Sequence, residues 1–342
     1  MWKEDDNQKG LYKSINNLGI IYLNQGKLDK AKEYYERSLE LNKRVGNEKD
    51  KASSLANLGS IEYLKGKPRK ALELMTECLQ VFNKIGDKRG KSNMLNNIGL
   101  IYRNLGKIEK ALENHEKSLE INRDIGDKPG IATSLDSIGN IYVLRGETEK
   151  AYKKINKAHE IYKEIDDVDG KAVTHSSLGR LYQLKGDYEE SIEHYKKAID
   201  IRKELEDKLN HVLNLSGLGE TYVKSGKTDK AYKKIKKALD KSSELSSKFE
   251  VGMSRRAMGL YYKKEGRMDD SLSELEKAED IFDDIKSKYY LALTLKEKGE
   301  AFYQVDRTSK SISNIKRSYN LFDDMNIEHK KKECERFIDK IN

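Results

Sequence analysis

Apolar and small side chains recur along this chain at helical spacing, in two alternating stripes separated by short polar joints. That period lines one face of an α-helix. Between Asp87 and Gly126 the first stripe holds Ile98, Gly99, Ile101 and Tyr102, and the second holds Ala111, His115, Ser118, Leu119, Ile121 and Ile125. The pattern predicts a helix running to about Leu105, a stop at Gly106, and a second helix from about Ile108 to Ile125. The same stripes open the chain as Leu18, Gly19, Ile21 and Tyr22, then Ala31, Tyr35, Ser38, Leu39, Leu41 and Val45.

This pair repeats every forty residues without a slip in register. Gly19, Gly59, Gly99, Gly139, Gly179, Gly219, Gly259 and Gly299 mark the first helix, and Gly26, Gly66, Gly106, Gly146, Gly186, Gly226 and Gly266, with Asp306 in the eighth place, mark the turn behind it. A fixed period of this length is the signature of a solenoid, whose units touch only their neighbours and share one thin core. The expectation is an all-α solenoid of eight helix-turn-helix units over 8–46, 47–86, 87–126, 127–166, 167–206, 207–246, 247–286 and 287–326, followed by a capping helix over 328–341. Glycine inside a helix costs about 1 kcal/mol against alanine, so eight in register imply a close approach of paired helices. Asn47, Asp87, Asp127, Asp167 and Asp207 stand where an N-cap oxygen meets free helix amides, and Gly46, Gly86 and Gly126 before them suit a left-handed turn. Pro68 and Pro129 fall in first helical turns, where a missing amide costs little. Residues 1–10 read as a joint and first turn, so further repeats or another domain are expected upstream.

Composition refines this picture. Charged residues are 37% of the chain and hydrophobic residues 36%, a balance suited to helices that each bury one narrow stripe. No apolar run is long enough to cross a membrane, and the start lacks a signal-peptide stretch, so a cytoplasmic protein without membrane insertion is expected. Cys78 and Cys334 lie far apart in an array with neighbour-only contact and read as reduced thiols, Cys78 packing where Ser38 and Ser118 stand. The net charge of +9 is spread evenly over both halves, unlike the one-sided basic face of a nucleic-acid groove. The exception is Lys224, Lys227, Lys230, Lys233, Lys234, Lys236, Lys237 and Lys241, opposed only by Asp229 and Asp240, which read as a solvated outer helix face.

Leu18, Gly19, Tyr22, Gly26, Ala31, Tyr35 and Ser38 resemble the tetratricopeptide repeat, and the match recurs eight times over nearly the whole chain. The forty-residue period and joints such as Ile85-Gly86-Asp87 are similar to the Partner-of-Inscuteable and kinesin-light-chain type. The resemblance implies a right-handed superhelix whose first helices line a groove for an extended peptide or a partner helix. In that groove the inward set is Asn16, Asn17, Ile20, Asn57, Asn93, Asn96, Asn97 and Leu100, then Asn140, Arg180, Lys224, Arg256, Lys263 and Lys264. A carboxamide both donates and accepts, so Asn17, Asn57 and Asn97 in register could pair with a peptide backbone. The later cations suit acidic groups on the same ligand.

Other chemistry is weakly signalled. The Gly-Lys pairs at the turns lack the spacing and the preceding strand of a phosphate loop. The six histidines show no metal-ligand spacing, and no nucleophile, base and orienter assemble from repeat positions. No catalytic, cofactor or metal site is expected. The sequence thus supports a non-enzymatic protein-binding scaffold. The alternative is a sensory or regulatory arm of a larger signalling protein that binds its own neighbouring domain; a third reading is nucleic-acid binding through the lysine run. The repeat pattern encodes neither the identity of the partner nor the oligomeric state.

Overall fold

The computed structural model of the protein describes residues 2–45, 47–245 and 247–341; Gly46, expected at the first left-handed joint, lies outside the described residues. The helices run in antiparallel pairs: α1 (Trp2–Asn24) with α2 (Leu28–Val45), α3 (Glu48–Leu64) with α4 (Pro68–Lys84), α5 (Lys88–Asn104) with α6 (Ile108–Asp124), and α7 (Lys128–Arg145) with α8 (Thr148–Glu164). They continue as α9 (Val168–Lys185) with α10 (Tyr188–Glu204), α11 (Lys208–Lys224) with α12 (Thr228–Ser243), α13 (Lys248–Lys264) with α14 (Met268–Asp284), and α15 (Lys288–Tyr303) with α16 (Thr308–Asp324), before the last helix α17 (Glu328–Ile341). One expectation is corrected here. Residues 2–10, read as a joint and first turn, are helical and make α1 the longest helix, at 23 residues.

The helix glycines sit where the paired helices approach most closely. A Cβ on Gly99 would lie 2.6 Å from the His115 ring, and one on Gly179 would lie 3.0 Å from Tyr195. Asn47, Asp87, Asp167 and Asp207 cap their helices by accepting backbone amides three residues on, at 2.8–3.1 Å. Asp127 makes no such bond and instead receives Arg89 on both carboxylate oxygens, at 3.1 and 2.8 Å. The joints between units keep a left-handed residue whatever its type: Gly86 (φ 72) and Gly126 (φ 67) give way to Asp166 (φ 51), Glu206 (φ 54), Lys286 (φ 57) and Asn326 (φ 55). Helix closure therefore fixes this backbone state even where a side chain opposes it.

Contact is not confined to neighbours, and this overturns the expectation drawn from the repeat pattern. The turn between α1 and α2 meets the chain end of α12: a Cβ on Gly26 would lie 2.5 Å from Leu245. One unit on, Gly66 faces Ile285 at 2.5 Å, and one unit further Gly106 faces Met325 at 2.8 Å. Ser287 donates a hydrogen bond to Asn104 Oδ1 at 2.7 Å. Ile108, Ala111, Ile141 and Leu144 share a core cluster with Ala292, Ile315, Phe322, Met325, Ile327 and Cys334. Each unit rotates by a fixed increment, so after about five to six units the superhelix comes back over itself. Its pitch is short enough that successive turns touch along a seam.

Both cysteines are free and buried. Cys78 donates to the Ala52 carbonyl at 3.0 Å, and burial pushes its thiol up to about 12.

The junction between the fourth and fifth helix pairs departs from the repeat. His159 and His175 replace the leucines found one unit earlier at Leu119 and Leu135. Their rings lie 4.8 Å apart, His175 Nδ1 is 2.9 Å from His194 Nδ1, and Tyr182 stacks on His194. Burial, then the neighbouring cations and imidazoles, hold His175 and His194 down at about 4.

Two outcomes follow from the packing. Ile285→Asp should part the seam, lowering stability by about 2–4 kcal/mol and raising the radius of gyration in small-angle X-ray scattering; an unchanged radius contradicts the seam as a structural support. For the histidines, the unfolded chain takes up protons first as pH falls below its ordinary imidazole range, so stability is lost on acidification from about 6.5 to 4. His175→Leu should therefore stabilise more at pH 5 than at pH 7.5, by about 1 kcal/mol after allowance for partial exposure, as read by urea unfolding at the two pH values.

Candidate functional site

The odd-numbered helices form the inner layer, and the residues they turn inward follow one helical stripe. Arg256 and Lys296 share one register position, Arg180, Glu220 and Glu300 another four residues on, Gln183 and Lys263 a third, and Lys224 and Lys264 a fourth. The stripe lines a chamber of about 820 Å³ bounded by α9, α11, α13, α15 and α17, a size within the usual range of ligand sites. Aromatic and apolar walls come from Tyr195, Phe249, Met253, Tyr289, Tyr290 and Leu293.

Its electrostatics are organised around one buried guanidinium. Arg256 donates to Glu220 at 3.0 Å and to Glu297 at 2.6 Å. Glu220 also receives Lys224 at 2.9 Å. Burial opposes ionisation of Glu220, but Arg256 and Lys224 outweigh it and hold the carboxyl well below its ordinary range. Glu300 is likewise penalised by burial yet lowered to about 2 by Lys263 and Lys296, and Glu333 bridges Lys296 at 3.1 Å and Lys330 at 2.8 Å. Seven basic and four acidic side chains line the chamber, so it keeps a positive excess after this pairing. Arg180 donates to Asn140 Oδ1 at 2.9 Å, and among the described residues neither it nor Lys264 has a carboxylate at ion-pair distance.

The residues expected at the groove divide into three groups. Arg180, Lys224, Arg256, Lys263 and Lys264 all line the large chamber. Lys224 is itself exposed but borders the chamber, whereas Lys230, Lys233, Lys236, Lys237 and Lys241 are exposed on the outer helix α12. Asn57, Asn93, Asn96 and Asn97 line a separate, shallower cavity of about 260 Å³ near the first turns. There Asn57 donates to Asn16 Oδ1 at 2.9 Å, while Asn17 and Ile20 are exposed and Leu100 is half-buried. Asn96 and Asn140 are engaged within the protein as well. Asn96 faces His115 Nδ1 at 2.7 Å, and Asn140 binds Asp136, Ser177 and Arg180. Burial holds His115 down at about 3, so its neutral ring is a packing group against Gly99.

Sequence reasoning did not single out the aromatic wall. A signal was present: Phe249 and Tyr289 occupy the position held by Lys49, Arg89, Pro129, Asp169 and Leu209 in earlier units. Among the described residues, no group of three or more His, Cys, Asp or Glu is arranged to hold a metal ion, and no helix is long and apolar enough to cross a membrane.

A superhelix of helix pairs enclosing a lined inner chamber is the architecture of a repeat scaffold. The chain belongs to the tetratricopeptide repeat family, whose model matches residues 12–84, 91–164 and 170–243. A comparison with curated protein sequences gives no match. Among solved structures the fold is similar to a Rap protein complexed with competence and sporulation factor, at TM-score 0.70 and 15% identity over 95% of this chain and 99% of that one. It is also similar to the Rap conjugation gene regulator of the plasmid pLS20 in complex with a Phr peptide, at TM-score 0.68 and 16% identity over 84% and 77% of the two chains. A third likeness is to a STAND protein with a tetratricopeptide repeat sensor from Pyrococcus horikoshii, at TM-score 0.55 and 15% identity, covering 86% of this chain and 48% of that one. At these identities the likeness shows the fold alone.

Removing Arg256 would leave Glu220 and Glu297 buried without their shared cation. Arg256→Met should therefore cost about 3–5 kcal/mol, whereas the triple change with Glu220→Gln and Glu297→Leu should recover most of that loss. Equal stability of the single and triple variants in urea unfolding would contradict this account.

Proposed function

We propose that the protein is a non-enzymatic binding scaffold that takes an extended peptide carrying acidic groups into the chamber inside its superhelix. The observation that carries this reading is the positive excess of the chamber beside an aromatic wall, with Arg180 lacking a carboxylate partner among the described residues. Charge-assisted bonds to ligand carboxylates would supply orientation, and Tyr195, Tyr289, Tyr290 and Phe249 would supply apolar area. The asparagine cavity around Asn57 and Asn97 would hold the ligand's backbone by donating and accepting at once. The likeness to Rap proteins, two of which were solved with a peptide or signalling factor, supports a peptide ligand.

A second reading takes the protein as a sensory or regulatory arm, acting on a neighbouring domain. The likeness to the sensor of the STAND protein favours it, and there the chain spans about half of the longer protein. The two readings share one chamber and differ in whether the ligand is separate or tethered.

Fluorescence anisotropy with labelled hexapeptides tests the first reading. Glutamate-containing peptides should bind about tenfold or more tightly than their glutamine counterparts, and Arg180→Gln should abolish most of that preference. The double change Asn57→Ala with Asn97→Ala should weaken both classes alike; unchanged binding would remove the asparagine contribution. Equal affinity for acidic and neutral peptides would overturn the charge reading.

A further inference from the structure

A second, smaller cavity of about 210 Å³ adjoins the chamber and shares Arg180, Asn210, Leu213, Phe249, Tyr289 and Tyr290 with it. It lies in the seam. Tyr63 and Arg103 enter it from the early turn of the superhelix, and Glu250 and Tyr290 enter from the later turn. We propose that this cavity is a carboxylate-binding subsite, in which Arg103 and Arg180 hold an anionic end of the ligand between the two turns. The assignment rests on the reading that a peptide occupies the larger chamber.

The charge inventory carries the argument. Other guanidiniums drawn into the protein have their counter-ions in place: Arg256 lies between Glu220 and Glu297, and Arg202 pairs with Asp169 and Asp207. Among the described residues, Arg103 and Arg180 have no carboxylate oxygen within 4.0 Å. Arg180 makes one side-chain bond, to the neutral Asn140 Oδ1. A guanidinium is a planar fork of donors matched to a carboxylate, and a half-buried one without a counter-charge is a poor use of its desolvation unless a ligand completes it.

The nearby carboxyls do not supply that charge in full. Burial pushes Glu250 up to about 7, so its neutral form is well populated near neutral pH, and Asp136, raised only to about 6, lies beyond ion-pair distance of both guanidiniums. Glu250 is buried, and its Oε2 has no hydrogen-bond partner. In its neutral form it can donate that proton to a ligand oxygen, adding a third donor to the two guanidiniums. An ammonium group would instead face two fixed cations. The cavity is too small for a folded segment and suits the end of one chain or one side chain, so the carboxylate comes from a C-terminus or from an Asp or Glu of the ligand.

Three small probes separate these cases: N-acetyl-Ala-Ala with a free carboxylate, the same compound as its C-terminal amide, and N-acetyl-Asp amide. Each is titrated into the full chain while the side-chain Nε signals of Arg103 and Arg180 are followed in a 15N correlation spectrum. A C-terminal subsite predicts saturable shifts of both signals with the first probe and none with the second, and a side-chain subsite predicts the same shifts with the third. Arg103→Gln should weaken the active probe about tenfold or more, with circular dichroism confirming its fold, and Glu250→Gln should retain binding. Equal shifts from the acid and its amide, an unchanged affinity in Arg103→Gln, or displacement of the probe by ethylammonium would overturn the subsite. Acidic hexapeptides that bind the chamber while no carboxylate probe reaches Arg103 sink the subsite alone; probes that bind Arg103 and Arg180 while no hexapeptide binds sink the peptide reading alone.

Discussion

The contact of one superhelical turn with the next governs the rest of this molecule. A stack of helix pairs that met only its neighbours would be an open spiral with its inner face in bulk water. Here Leu245, Ile285 and Met325 fall in one register against the turns at Gly26, Gly66 and Gly106, so each added pair lengthens the same seam. That closure turns an inner helix face into a walled chamber, and it buries Ile108, Leu144, Phe322 and Cys334 in one shared cluster. Glycine at these turns serves two ends at once. Its left-handed backbone ends a helix, and its missing side chain leaves room for the facing turn.

Closure also sets the electrostatic terms of the interior. Cations on an open concave surface would be screened by water and worth little. Enclosed, they require counter-charges at bonding distance, and Arg256, Lys263 and Lys296 have them in Glu220, Glu297 and Glu300. Arg103 and Arg180 stand outside this pairing, beside the aromatic side chains of the later units. The outer surface follows the opposite rule. Its ion pairs, such as Glu109 with Arg145 and Glu149 with Lys185 between successive units, are exposed and contribute mainly solubility and register.

Departures from the repeat mark the places with specific chemistry. Phe249 and Tyr289 stand where earlier units place non-aromatic helix-start residues and become a chamber wall. His159 and His175 replace core leucines and leave a neutral imidazole cluster at one junction. These changes were visible in the sequence as breaks in a register, but their consequence was not, because a register position states which face a side chain occupies and not what lies opposite it. The asparagines illustrate the same limit. Asn57 and Asn97 share one register position, Asn96 stands one residue before it and Asn140 three residues after it, yet Asn96 is committed to His115 and Asn140 to Asp136, Ser177 and Arg180.

By itself the sequence determined the helix pairs, their turns and the caps at Asn47, Asp87, Asp167 and Asp207. All of these depend on side chains within about forty residues of one another, and the eightfold repetition averages out local exceptions. Tertiary structure alone decided that the array returns to touch itself, that Lys224 belongs to the chamber and not to the outer lysine face, and that Arg103 and Arg180 share a cavity with Glu250. Those outcomes depend on the rotation between successive units, summed over five or six of them. A slight change in that angle leaves every local pattern intact while moving Met325 away from Gly106, so no short-range reading of residues can fix it.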